Sequence, residues 1–472
     1  MRKGYFLPLF WIVFHGCHLG PDYEVPEAEF PDHWKAKTEQ ANLNVDHWWD
    51  VFNDEMLSEL EHRVIENNPD LYSALQRVAE ARGIAGASKA DLYPQVGFQP
   101  SYTDTGELIE LYGVPQGVIP GLKSIVRVHE QNYQLPVNMN YEIDLWEKNW
   151  GKYQVFDRLA AAELAAYRTS LLTLTTDLAS NYFNAQSLDA QIELLEKKIH
   201  NYQILFNLRK SRNRIGVDSF LSILEVQKNL EQFEAELTDT KRQRTLFENA
   251  IAVLIGMNPS EYTLPMNALK EEIPMIPPGL PSTLMTRRPD IAEAERKMAA
   301  SHALIGVAYA TFFPSLNLTG ALGFSSPELD QLMTWQGRLW SWGINIFESV
   351  FDGWRRSSYL DVAKAQFEES LGIYEKTVLS AFQEVEDALN NLDHQAKEST
   401  QLYHAFQAAT EISLLSYQRY KTGIVNRLDA IRSENDRIDA KRNWINVMGN
   451  RYQSTIQLIK ALGGDFSQES NI

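Results

Sequence analysis

Hydrophobic and polar positions alternate along the chain in two distinct periods, and the change from one to the other marks the elements. Near 70–91 and again near 290–311 apolar residues recur at helical spacing, and each stretch stops before a proline, Pro94 or Pro314. A period-two segment follows each. Val96, Phe98 and Tyr102 alternate with Gln95, Gln99 and Thr103. Leu316, Leu318, Leu322 and Phe324 alternate with Asn317, Thr319 and Gly323. Polar or Gly/Pro-rich loops are expected at roughly 104–130 and 325–338. Alternation then returns: Tyr133, Leu135, Val137, Met139, Tyr141, Ile143 and Leu145 lie on one face, with Gln134, Asn138, Asn140, Glu142 and Asp144 on the other. Trp340, Trp342, Ile344 and Ile346 repeat that pattern. Pro136 falls within the second strand, where it removes one ladder donor.

Each strand pair leads into a long stretch without proline, about 152–212 and 357–419. Sixty helical residues make a rod of about 90 Å. Ala185, Leu188, Ile192, Leu195, Ile199, Tyr202 and Phe206 step by three and four, a coiled-coil seam. Gly216 and Gly423 mark reversals, and returning helices are expected near 219–256 and 426–462. In the last of these Ile431, Ile438, Ile445, Tyr452 and Ile459 recur every seven residues. Met298 to Pro327 contains no Asp, Glu, Lys or Arg, yet Pro314 interrupts it and its second part has period two. It predicts a helix end joined to a strand rather than a membrane helix.

The chain is written twice. Pro69 and Pro289 stand 220 residues apart, as do Pro94 and Pro314, with Ala74/Ala294, Gly86/Gly306 and Ala90/Ala310 at the same offset. Gly216-Val217-x-x-x-Leu221 and Gly423-Ile424-x-x-x-Leu428 are 207 apart, as are Ile255-Gly256 and Leu462-Gly463. A tandem duplication is expected. The first repeat spans 69–256 and the second 286–464, with a proline-rich linker at 257–285, an amino-terminal segment at 17–68 and a short tail at 465–472.

Residues 1–16 read as a secretory signal: Arg2 and Lys3, then an apolar run from Tyr5 to Phe14, too short to span a bilayer. Gly16 precedes Cys17, the chain's single cysteine, so lipidation at Cys17 is expected; the alternative is an ordinary cleaved signal with a cysteine nearby. One cysteine excludes a disulfide framework, and the scattered histidines, including His15, His18, His33 and His47, form no metal-ligand spacing. No metal or cofactor is expected. Neither a G-x-S-x-G, an H-E-x-x-H nor a phosphate-binding loop occurs, so no enzyme is expected. With 44 basic and 62 acidic residues the net charge is −18, which repels nucleic acid. The mean hydropathy of −0.33 argues against a bundle of membrane helices.

Strands of 9–13 residues are long enough to cross a bilayer when tilted. A sheet in lipid has to close, and the smallest closed membrane barrels have about eight strands. Four strands per chain therefore predict a barrel shared between chains, with Asn138, Asn140, Glu142 and Asp144 facing its lumen. A soluble coiled-coil protein with a small sandwich is the alternative. The expected fold class is an α+β membrane channel, a long helical coiled-coil barrel joined to a transmembrane β-barrel.

Cys17 followed by Gly20-Pro21-Asp22-Tyr23-x-x-Pro26 resembles the start of NodT-type outer membrane lipoproteins. Asn68-Pro69-Asp70-Leu71, the Tyr-Pro-x-Val element at 93–96, Tyr141-Glu142-Ile143-Asp144-Leu145-Trp146, Phe351-Asp352-Gly353, Arg419-Tyr420-x-x-Gly423 and Ala461-Leu462-Gly463-Gly464 are similar to motifs of the TolC-like outer membrane efflux family. The resemblance covers residues 17 to about 466. It implies a homotrimer with a twelve-strand barrel in the outer membrane of a Gram-negative bacterium and a twelve-helix tunnel across the periplasm. It also implies a periplasmic adaptor and an inner membrane pump of the resistance-nodulation-division type as partners, and drugs or other small toxic compounds as cargo. A duct for secreted polypeptides and a structural coiled-coil lipoprotein remain as alternatives. The turns at Gly216 and Gly423 would form the closed entrance. Arg212, Arg214, Asp218 and Glu225 cluster at the first, and Arg419, Tyr420, Lys421, Arg427, Asp429 and Arg432 at the second. The resemblance implies an acidic ring there, with Asp429 at the matching position, while a solvated helix tip is the plain alternative.

Overall fold

The computed structural model describes residues 20–26, 31, 33–35, 47–110, 125–267, 269–279 and 281–464. The signal segment 1–16, Cys17, His15, His18 and the tail 465–472 lie outside them. Eight helices and five strands follow in the order α1 (Glu55–Asn67), α2 (Pro69–Ala90), β1 (Gln95–Phe98), β2 (Ser101–Glu110), β3 (Ile125–Ile143), α3 (Lys148–Arg214), α4 (Phe220–Leu254), the single turn α5 (Leu284–Arg287), α6 (Pro289–Ala310), β4 (Ser315–Ser326), β5 (Arg338–Phe347), α7 (Arg355–Lys421) and α8 (Arg427–Ala461) among the described residues. The lengths recur: α2 and α6 have 22 residues each, α3 and α7 have 67, and α4 and α8 have 35. No helix among the described residues is long and apolar enough to cross a membrane. The stretch after Met298 without Asp, Glu, Lys or Arg is the end of α6 followed by β4.

The chain divides into two compact units. The first holds the sheet and the helix segments that feed it, 79–161 and 296–371. The sheet is antiparallel throughout, in the order β1/β2–β3–β4–β5. β1 and β2 are one strand line, because Phe98 opposes Val137 and Ser101 opposes Gln134 in a single register. The line breaks at Gln99-Pro100, where the partner residues include Pro136. Two prolines without N–H groups at one crossing leave the ladder short of donors. The Gln99 N–H still reaches the Pro136 carbonyl at 3.2 Å.

One expectation is corrected here. The two ends of the loop expected over 104–130 are strand, since β2 runs to Glu110 and β3 begins at Ile125; residues 111–124 lie outside the described residues. Asp104, Glu107, His129, Glu130 and Gln131 interrupt the alternation in this part of the hairpin. Both faces are exposed and mix charged with apolar residues, Leu108 and Val128 among them, so the ladder forms without a buried side to advertise it, and Asp104 approaches His129 at 3.6 Å.

The second unit comprises 47–78, 162–295 and 372–464, with the described residues of 26–35. Its core is built from distant parts of the chain. Trp48, Trp49 and Phe52 precede α1, which adds Leu57, Leu60 and Val64. They meet Leu178, Tyr182 and Phe183 of α3, Ile251 of α4, Val385 of α7 and Tyr452 and Ile459 of α8. Phe183 stacks on Tyr452 with centroids 4.4 Å apart. Asp54 caps α1, accepting from the Met56 and Leu57 N–H groups at 3.1 and 3.2 Å, and also accepts the Tyr182 hydroxyl at 3.1 Å. Burial, then the nearby Asp54 charge, push the Tyr182 hydroxyl well above its ordinary pKa. The proline-rich segment 257–285 is packed against the helices. Tyr452 donates to the carbonyl of Glu272 at 3.0 Å, and burial raises its own pKa to about 12. Arg244 donates to the Leu264 carbonyl at 2.6 Å.

Candidate functional site: helical tips and the two faces of the sheet

The turn between α3 and α4 is set by Gly216, whose φ of +76° is the left-handed conformation that side chains disfavour. The Gly216 N–H returns to the Asn213 carbonyl at 2.9 Å and that of Val217 to Arg212 at 3.0 Å, closing the helix end in a Schellman-like pair. Asp218 then folds back on α3. Its carboxylate accepts from Arg209 at 3.1 Å and from Arg212 at 3.0 Å, and its side chain keeps only 7% exposure. Asn213 donates to the Asp218 carbonyl at 2.7 Å. Burial alone would raise the Asp218 pKa, but the two guanidinium hydrogen bonds outweigh it and hold the carboxylate below its ordinary range. Arg209 was not singled out by its spacing. It pairs with a residue nine positions on, across a turn.

The turn between α7 and α8 has the same backbone. Gly423 has φ of +77°, its N–H returns to Tyr420 at 3.0 Å, and that of Ile424 to Arg419 at 2.9 Å. Asn426 caps α8, accepting the Asp429 N–H at 3.0 Å. The charges are arranged differently. Arg419, Arg427, Asp429 and Arg432 are exposed and form no ion pair among the described residues. Lys421 stands over the Tyr417 ring at 5.4 Å. The first ion pair above this turn joins Arg437 to Glu434 at 2.6 Å, and Glu434 also accepts the Ser413 hydroxyl of α7 at 2.7 Å. One tip thus spends its acid on its own arginines, while the other presents its charges to solvent.

On the sheet, opposite residues share a face. Gln95, Asn140, Thr319 and Gly343 form one polar row, and Glu142, Asn317 and Asn345 the next. Phe98, Val137, Leu322 and Trp340 form an apolar row on the other face, with Met139, Leu318 and Ile344 beside it. That apolar face is open: Phe98 is 63% exposed, Leu322 68% and Trp342 76%. Asn138 and Asn140 fall on the polar side, as does Glu142, which pairs with Lys148 at the start of α3. Asp144 is a correction. It stands beyond the last residue of β3, and its carboxylate accepts the N–H groups of Asn149 at 3.1 Å and Trp150 at 2.7 Å. It caps α3, whose first N–H groups would otherwise lack acceptors.

His47 stacks on Trp49 with centroids 4.6 Å apart and belongs to the packing around the core. No cluster among the described residues has the composition of a metal site.

Among the described residues the sheet has one wide exposed apolar face, and its outer strand lines, β1/β2 and β5, each pair on one side only. The sequence profile of the outer membrane efflux protein family matches residues 60–257 and 280–464, and the chain belongs to that family. The toluene efflux pump outer membrane protein TtgF of Pseudomonas putida is 28% identical over 494 aligned residues, covering 100% of this chain and 98% of that one. The cation efflux system protein CusC of Escherichia coli is 27% identical over 464 residues, covering 96% of each. Among solved structures, the outer-membrane channel OprN superposes with a TM-score of 0.84 at 25% identity, over 95% of this chain and 100% of that one.

Proposed function

We propose that this protein is the exit duct of a tripartite efflux pump, and that three copies complete it. The observation that carries the reading is the sheet. Among the described residues it has four strand lines, its outer edges on β1/β2 and β5 are unpaired, and its apolar face is exposed. In lipid each unpaired backbone group costs several kcal/mol, so edges of this length require partners. Three copies give twelve strands, a number that closes. Asn138, Asn140 and Glu142 would then line the lumen, and Val137, Leu322, Trp340 and Trp342 would face lipid.

The recurring element lengths fit a tandem duplication of 69–256 and 286–464. Cys17 would carry the lipid anchor. A periplasmic adaptor and an inner membrane pump would feed the tips, where Asp429, Arg419, Tyr420, Arg427 and Arg432 form the candidate gate and Asp218 with Arg212 braces the other turn. The cargo would be small toxic compounds, in keeping with the toluene and cation efflux named for the relatives. Direction would come from the pump.

Single-channel recording of the purified protein in planar bilayers tests the reading. Discrete conductance steps are expected, and native mass spectrometry in detergent should show a trimer. A stable monomer without conductance would sink it.

A further inference from the structure

At one end of the sheet the chain passes four times between helix and strand. α2 enters β1 through Leu92-Tyr93-Pro94, and β3 leaves for α3 through Asp144–Glu147. α6 enters β4 through Phe312-Phe313-Pro314, and β5 leaves for α7 through Glu348–Trp354. Strand order sets these four junctions side by side in that sequence.

The third junction is flanked on both sides. The Trp146 ring lies 4.9 Å from that of Phe313, and its indole N–H donates to the Pro314 carbonyl at 2.8 Å. On the other side Arg356 donates to the Thr311 carbonyl at 3.2 Å and stands over the Phe312 ring at 5.4 Å. The first and fourth junctions stand at the ends of the sheet, and large apolar side chains are bare there. Val350 is 95% exposed, Phe351 79%, Trp354 75% and Tyr93 59%.

The fourth junction is held in a fixed shape. Arg356 grips it through Asp352 at 2.9 Å, Glu348 at 2.9 Å and the Ser349 carbonyl at 2.5 Å. Gly353 and Trp354 follow one another in the left-handed region, at φ of +66° and +65°. For an aromatic residue that conformation is unfavourable. Its result is an outward Trp354 ring that meets Phe351 edge-on at 6.1 Å. A braced loop that displays three bare apolar side chains has the features of a docking knob.

The internal repeat identifies the matching surface. Leu92-Tyr93-Pro94 and Phe312-Phe313-Pro314 stand 220 residues apart. Glu147 and Trp354 stand 207 apart and share the left-handed backbone, with Glu147 at +54°. Within the chain, Trp146 of the junction after β3 is seated on the junction before β4; at the same offset its counterpart is Gly353, and the aromatic residue beside that position is Trp354. We infer that the junction after β5 does the same to the next copy, with Phe351 and Trp354 seated on the partner's Leu92, the partner's Tyr93 and the partner's Pro94. The joint rests on the shared-barrel reading and adds to it a contact outside the strand ladder, at the rim where strands become helices.

Benzoylphenylalanine placed at position 354 of the full chain, and separately at 351, tests this in proteoliposomes. Irradiation should give covalent dimers and trimers, with the cross-linked peptide containing residues 92–94. Trp354→Ala and Tyr93→Ala should each lower the temperature at which the detergent-resistant oligomer dissociates. If native mass spectrometry shows trimers while both probes react only with lipid or with their own chain, the joint is wrong and the shared barrel stands. Monomers throughout would overturn both.

Discussion

The Arg288 guanidinium donates to the carbonyl of Ala461 at 2.9 Å, tying the start of α6 to the last residue of α8. The first half makes the same joint with a different residue. Asn68, 220 positions earlier, donates its amide to the Leu254 carbonyl at the end of α4, at 2.8 Å. In both halves the carbonyl is one that a helix end leaves without an intrahelical partner. Arg288 adds charge to the joint, reaching Asp290 at 2.6 Å and Glu384 of α7 at 2.7 Å while remaining 8% exposed. Arg288→Ala should therefore cost about 1.5–3 kcal/mol, the range for a hydrogen bond to a charged group. Asn68→Ala should cost about 1 kcal/mol, the value for a neutral bond. Thermal melting of the helical circular dichroism in detergent compares them, and equal losses would mean that the added ion pairs contribute nothing.

Val137→Arg places a charge on the apolar face of the sheet. If position 137 lies near the bilayer midplane, the barrel should lose about 2–4 kcal/mol. In a series of single cysteines, a water-soluble maleimide should mark positions 138 and 140 but not 137 and 139. The opposite pattern would put the faces the other way round.

Cys17→Ser should abolish palmitate incorporation while the barrel remains inserted, because strands closed in lipid hold themselves there and acyl chains only add to that hold. Unchanged labelling in the variant would assign the lipid elsewhere.

The two tips should respond differently to substitution. Asp429→Asn removes an exposed acid among Arg427 and Arg432, and should reduce cation preference in bilayer recordings. Arg419→Ala should raise the open probability. If neither variant alters conductance or selectivity, the gate lies away from this turn.

Asp218 makes a prediction about acid. Its folded pKa is depressed, so its contribution is complete above the ordinary aspartate value of about 3.9 and is lost as pH falls through the lower folded value. Amide exchange at the Gly216 turn should keep the same protection from neutral pH to about pH 5 and lose it only in stronger acid. Asp218→Asn should bring that loss to neutral pH. Early loosening of the unaltered protein between pH 7 and 5 would count against the Arg209–Asp218–Arg212 clamp.

What the sequence determined by itself are the elements whose one-sided burial leaves a period: the 67-residue helices, the heptads of α8, the alternating parts of β3 to β5, and the turns where Gly216 and Gly423 take up left-handed backbone. Such signals arise between residues a few positions apart, so they survive in a single chain read in order. The tertiary structure alone decided the rest. The outer part of the β2–β3 hairpin has two exposed faces, each mixing polar and apolar residues, and therefore no clean period. Asp144 belongs to α3 because helical N–H groups lie within reach, although its position in the alternation puts it on the strand. Asp218 is engaged, while Asp429 forms no ion pair among the described residues, yet both follow a glycine turn in similar company; only the fold of the hairpin brings Arg209 and Arg212 onto one of them. The core around Phe52, Phe183 and Tyr452 joins segments hundreds of residues apart. Contacts of that kind depend on where whole helices lie, and no local pattern of apolar and polar residues carries that information.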